Sequence, residues 1–121
     1  MTRIRNIYGN LRVKDFLKFN KSYIGYESNA ATNGALAIPL THAYQGYTTN
    51  ATAAIAATLA DGADGQVITI KLETLDTNNL VVTPAHLADG TTLTFDASSE
   101  VATLMFDGTN WQILNNTATL A

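Results

Sequence analysis

The sequence predicts an all-β fold: an antiparallel β-sandwich or jelly-roll-like barrel, preceded by an extended basic N-terminal arm. Three observations lead there. Residues 65–75, "GQVITIKLETL", alternate a polar and an apolar face at period two. Short apolar runs recur every eight to twelve residues, separated by turn-forming sequences. Asp-Gly occurs at 61, 64, 89 and 107, each time beside such a run. Glycine accepts positive φ and aspartate bonds its own backbone, so the pair suits tight turns.

The C-terminal half divides most clearly. In "GQVITIKLETL", Ile68, Ile70 and Leu72 fall on one face, with Leu75 one step further, and Val67, Thr69, Lys71 and Glu73 on the other. "DTNN" at 76–79 is turn chemistry, and "LVVT" is a short buried strand stopped by Pro84. "ADG" at 88–90 and "DASSE" at 96–100 bracket a strand "TTLTF". "VATLMF", "DGTN" and "WQIL" then read as strand, hairpin loop and return strand. Trp111 opens that return strand beside Phe106, with Ile113 on its face, and is most economically a plug in the core or a subunit interface. The competing reading stacks a sugar on Trp111, together with Tyr44 and Tyr47.

Residues 28–60 are dominated by alanine, threonine and asparagine. Threonine disfavours a long helix even where alanine would permit one, and Pro39 makes "ALAIPLT" an edge or irregular strand. "ATAAIAATL" at 51–59 has some helical character, but Ile55, Ala57 and Leu59 share one face of an extended chain, which favours a strand.

Charge divides the chain differently. Residues 1–27 hold six bases (Arg3, Arg5, Arg12, Lys14, Lys18, Lys21) against two acids, a net of +4. The other residues hold one base, Lys71, and eight acids, a net of −7. The apolar residues of the first stretch fit neither a helical period nor a period of two. That stretch reads as an extended arm, residues 1–27, whose apolar side chains need a surface from elsewhere. The plainer alternative makes it the first strands of the domain with a solvated basic edge. The body is then one β-rich domain, residues 28–121.

At 121 residues the chain accommodates one core. Alanine supplies much of the 46% hydrophobic content, so that core should be thin. Only 14% of residues are charged, against about 25% in ordinary soluble domains. A polar, weakly charged surface of this kind suits packing against other protein. The sequence contains no cysteine, which excludes disulfides and thiolate zinc sites. No apolar run is long enough for a membrane span and no cleavable leader is visible, so synthesis in the cytosol is expected and the glycosylation-type sequons at Asn20, Asn50 and Asn115 carry no meaning.

Chemistry-bearing motifs are lacking. "DGADG" resembles a fragment of a calcium loop, but it lacks regularly spaced further acids and a bidentate glutamate, and turns explain it better. His42 and His86 stand in loop-like contexts without a nucleophile motif, most acids are absorbed by turns, and no phosphate-cradling glycine loop is present. A non-enzymatic protein without cofactor or metal is expected. Tyr8, Phe16, Phe19, Tyr23 and Tyr26 interleave with the bases of the arm, which in principle suits nucleic acid. The acidic body would repel phosphate, so a basic apolar strip docking on acidic protein is the simpler account.

Three passages within residues 61–114, "DG.DGQVITI", "VVTPAHLADGTTLTFD" and "VATLMFDGTNWQIL", resemble a module recurrent in structural proteins of tailed bacteriophages, among them capsid decoration (cement) proteins and head-fibre or tail-fibre components. The resemblance implies a β-rich, non-enzymatic and usually trimeric protein. It points to a cement protein, made in the host cytoplasm and located on the outer surface of the phage head. Its partners would be the major capsid protein and two further copies of itself. Arg3, Arg5, Arg12, Lys14, Phe16, Lys18, Phe19 and Lys21 would then dock on the capsid. Ile68, Ile70, Leu72, Phe106, Trp111 and Ile113 would form the core or the trimer interface. The alternative is a fibre component that binds host-surface carbohydrate.

Overall fold

A computed structural model describes residues 26–30, 34–49 and 54–121. The described residues form ten strands: β1 (Tyr26–Ala30), β2 (Gly34–Ala37), β3 (Tyr44–Thr48), β4 (Ile55–Leu59), β5 (Val67–Thr74), β6 (Leu80–Pro84), β7 (Leu93–Phe95), β8 (Val101–Phe106), β9 (Trp111–Asn116) and β10 (Thr119–Leu120). They assemble into two five-stranded sheets, ordered β1-β3-β5-β8-β9 and β10-β7-β6-β4-β2. The all-β expectation holds in a sandwich-like form, and the sheets do not close into a barrel.

The expected antiparallel order holds only for the second half of the chain. β1, β3 and β5 run parallel to one another in the first sheet, as do β2, β4 and β6 in the second. From β1 to β6 the chain alternates between sheets at every step. Two parallel neighbours are therefore joined through a strand of the opposite sheet, which serves as the crossover that parallel pairing requires. From β6 onward the pairing turns antiparallel: β7 and β10 extend the second sheet, and β8 and β9 extend the first.

Period-two patterning determines which residues enter the space between the sheets. Ile68, Ile70 and Leu72 of β5 face inward with Ala102, Leu104 and Phe106 of β8, and all six are buried. From the second sheet come Ile55, Ala57 and Leu59 of β4, Leu80 and Val82 of β6, and Leu93 and Phe95 of β7. The extended reading of "ATAAIAATL" is thus the correct one for its second half. Each fully enclosed leucine, isoleucine or phenylalanine contributes roughly 1.5–3 kcal/mol.

Several boundaries differ from the sequence expectation. Tyr26 and Glu27, placed in the arm by charge, belong to β1 and pair with Tyr44 and Gln45. The strand expected to start at Thr91 begins at Leu93, because the backbone N–H groups of Thr91 and Thr92 turn instead to the carbonyl of Ala121. The turn at 76–79 does not close a hairpin but carries the chain from one sheet to the other.

Two buried glutamines hold the β2–β3 crossing. Gln66 donates from Nε2 to the carbonyl of Leu40 at 2.8 Å and accepts the N–H of Ala63 at 2.9 Å. Gln45 donates to the carbonyl of Pro39 and accepts the Tyr47 hydroxyl at 2.6 Å. A buried amide must have its partners supplied by the protein. The crossing loop supplies the Pro39 and Leu40 carbonyls, which ties it to β3 and to the residue before β5.

Candidate functional site

Trp111 is where the two sheets are joined at one end. It opens β9 in the first sheet and is fully buried. Its backbone N–H donates to the carbonyl of His86, and the Ala88 N–H donates to its carbonyl, so it also pairs with the β6–β7 connection of the second sheet. The indole N–H donates to the carbonyl of Ala60 at 3.0 Å. Phe106 meets the indole edge-on, with ring centroids 5.3 Å apart at 65°, a favoured aromatic geometry. A Cβ on Gly62 would lie 2.9 Å from the indole ring, so the β4–β5 connection passes under the tryptophan only because glycine stands there.

Outside this seal His86 and Asp61 meet. The imidazole Nδ1 lies 2.9 and 3.0 Å from the two carboxylate oxygens. The His86 side chain is 60% exposed and that of Asp61 42%. His86 is therefore paired rather than solitary, as its loop context had suggested. In water such a pair contributes under about 1 kcal/mol. Asp107, in the β8–β9 hairpin, accepts the N–H groups of Thr109 and Asn110 at 2.9 and 2.8 Å and the side-chain amide of Gln112 at 2.8 Å. These donors, with the Asn110 N–H foremost, followed by Gln112 and Thr109, hold its carboxyl below the usual carboxylate range.

The two outer faces contrast. On the first sheet a rank of registered residues runs Tyr44, Thr69, Thr103, Asn115 across β3, β5, β8 and β9, with the Thr69 and Thr103 hydroxyls 3.1 Å apart. Lys71 and Glu73 belong to this face, and Val67 and Leu114 are 37% and 55% exposed. The outer face of the second sheet carries the rank Ala35, Ala56, Val81, Thr94, Thr119, and beside it Ala37, Thr58 and Thr83. No strand of this sheet contains a charged residue. An open depression of about 400 Å³ lies at its margin, lined by Thr58, Leu59, Ala60, Thr83, Pro84 and Ala85.

The structure places the site residues read from the sequence as follows. Ile68, Ile70, Leu72, Phe106 and Trp111 are in the core, and Ile113 packs against it partly buried. Arg3, Arg5, Arg12, Lys14, Phe16, Lys18, Phe19 and Lys21 lie outside the described residues. The carbohydrate arrangement is not available: Trp111 and Tyr47 are fully enclosed, which leaves Tyr44 alone partly accessible. Among the described residues no group of three or more histidine, aspartate or glutamate side chains is placed to hold a metal ion, and no helix is long and apolar enough to cross a membrane.

Sequence reasoning missed Gln45, Gln66 and the His86–Asp61 pair. Gln66 could have been found, because it shares the parity of Ile68, Ile70 and Leu72 and so had to point inward. No local signal links residues 61 and 86.

No protein-family model matches the chain, and no curated protein matches it.

Proposed function

We propose that this chain is a non-enzymatic structural protein of a phage particle, a capsid decoration protein that binds the outer head surface as a trimer and stabilises the shell mechanically. Two things support the reading: the resemblance of residues 61–114 to phage structural modules, and the chemistry of the second sheet's outer face. That face is the observation that carries it. Solvated β-surfaces ordinarily hold charged residues that discourage association. Here two ranks of alanine, threonine and valine cross the sheet without one charge. Small uncharged side chains let another protein surface approach closely over a broad area. In this reading the face packs against neighbouring copies, and the basic residues 3–21 meet the acidic capsid surface.

The test is co-sedimentation with phage heads stripped of decoration. The full chain should pellet with the heads, and a variant lacking residues 1–25 should remain in the supernatant while staying folded. Equal pelleting of both would remove the docking role from the arm, and no pelleting of either would contradict the decoration reading.

A further inference from the structure

The parallel strands stack as rungs, and one step between rungs is irregular. In chain order β1-β2, β3-β4 and β5-β6 each form a rung laid parallel on the next. From the second rung to the third, Tyr44 pairs with Thr69 and Ile55 with Leu80, 25 positions apart in each sheet. From the first rung to the second, Gly34 pairs with Ile55, 21 positions apart, but Tyr26 pairs with Tyr44, only 18 apart. The same discrepancy appears within the rungs. Ile55 follows Tyr44 by 11 positions and Leu80 follows Thr69 by 11, whereas Gly34 follows Tyr26 by 8.

The sequence carries the missing three residues. Residues 23–30, "YIGYESNA", recur as "YQGYTTNA" at 44–51, with five of the eight residues identical and an offset of 21. That is the offset of β2 on β4, not that of β1 on β3. Buried positions point the same way, because register follows the hydrophobic pattern. The register of the structure aligns Glu27 with Gln45 and Asn29 with Tyr47, and both partners are fully buried. A slip of three residues aligns Ile24 and Tyr26 with those two positions instead, sets Gly25 against Gly46 and moves Glu27 to Thr48. β1 is an edge strand that pairs on one side only, so the slip disturbs a single ladder.

We propose that β1 exchanges between two registers, the one in the structure and one three residues on, in which residues 23–28 align with 44–49. In the second, the first rung acquires the 11-residue spacing of the other two, and Asn29 and Ala30 leave the ladder for the connection to β2. The exchange shifts the chain before β1 by three residues along the edge of the first sheet, about 10 Å at the rise of a strand. It belongs to the single chain and needs no partner. A surface that grips the basic residues 3–21 is thereby held at one of two positions along the sheet.

The full chain contains no cysteine, so introduced pairs are its only thiols. Neighbouring strands lie about 4.8 Å apart, within disulfide reach. A three-residue offset separates the Cα atoms by about 10 Å, beyond the limit of about 7 Å. Tyr26→Cys with Tyr44→Cys therefore reports the register of the structure, and Tyr23→Cys with Tyr44→Cys reports the second. Asn29→Cys with Tyr44→Cys fits neither. Under mild oxidation the first two pairs should close and the third should not, with short-wavelength emission from the buried Trp111 showing that each variant is folded. Closure of only one of the first two pairs would overturn the exchange. So would closure of the third, which would mean a frayed strand. Three residues inserted between Ala30 and Gly34 give the register of the structure the 11-residue spacing of the other rungs. That insertion should move closure to the Tyr26 pair, and an unmoved ratio would also overturn the proposal.

Discussion

The indole N–H of Trp111 donates to the carbonyl of Ala60, 51 positions earlier, at 3.0 Å. This bond joins the start of β9 in one sheet to the residue after β4 in the other. Replacing Trp111 by alanine should destabilise the protein by about 3–5 kcal/mol, the usual cost of emptying a large aromatic site. Phenylalanine retains most of the volume but leaves the Ala60 carbonyl without its donor, and should cost about 1–3 kcal/mol. Urea unfolding with an unchanged slope would measure both. As the sole tryptophan, Trp111 should also emit at short wavelength and resist quenching by iodide until the protein unfolds.

Gln66 is expected to matter as much as an apolar core residue. Gln66→Met keeps the volume but strands the Leu40 carbonyl and the Ala63 N–H. The expected loss is about 1–3 kcal/mol, with faster amide exchange in the β2–β3 crossing. A loss below about 0.5 kcal/mol, the range of ordinary surface changes, would show that the crossing does not depend on this side chain.

Asp107 makes stability depend on pH in a defined direction. Its carboxyl titrates lower in the folded protein than the ordinary value of 3.8, because three donors favour the ionised form. The folded state therefore binds fewer protons than the unfolded one in that window. The resulting stabilisation is fully present above 3.8 and is lost as pH falls through the lower folded value. Asp107→Asn should have a lower Tm than the parent at neutral pH, with the gap narrowing on acidification. A gap that stays constant down to strongly acidic pH would contradict the assignment.

How far the fold was legible follows from what each signal encodes. Alternation in "GQVITIKLETL" and the shared face of Ile55, Ala57 and Leu59 report which side of a strand is buried, and that was readable. The same alternation is indifferent to strand direction, so the parallel half of each sheet was not. Asp-Gly pairs report turns but not destinations. Asp107-Gly108 closes the β8–β9 hairpin, whereas Asp61-Gly62 and Asp64-Gly65 lie in a connection that crosses between sheets. The contact of His86 with Asp61 arises because the ends of β4 and β6 are neighbours in one sheet. That adjacency belongs to the topology, and no residue near either position announces it.

The uncharged outer face of the second sheet yields a separation of effects. Thr58→Lys and Val81→Lys place a charge on that face without touching the core. Each should change the stability of the single chain by no more than about 0.5 kcal/mol and should convert the proposed trimer to monomer in sedimentation velocity. Lysine at Thr69, on the opposite face, should leave the proposed trimer intact. Loss of the trimer from the Thr69 variant alone would move the interface to the first sheet.

The most direct measurement is cryo-electron microscopy of the intact phage particle proposed to carry this protein. The account expects trimeric density on the outside of the head at three-fold or quasi-three-fold positions, with the second sheet turned toward neighbouring copies and residues 1–25 toward the shell. Density confined to a tail or its fibres, or none attributable to this chain, would contradict it.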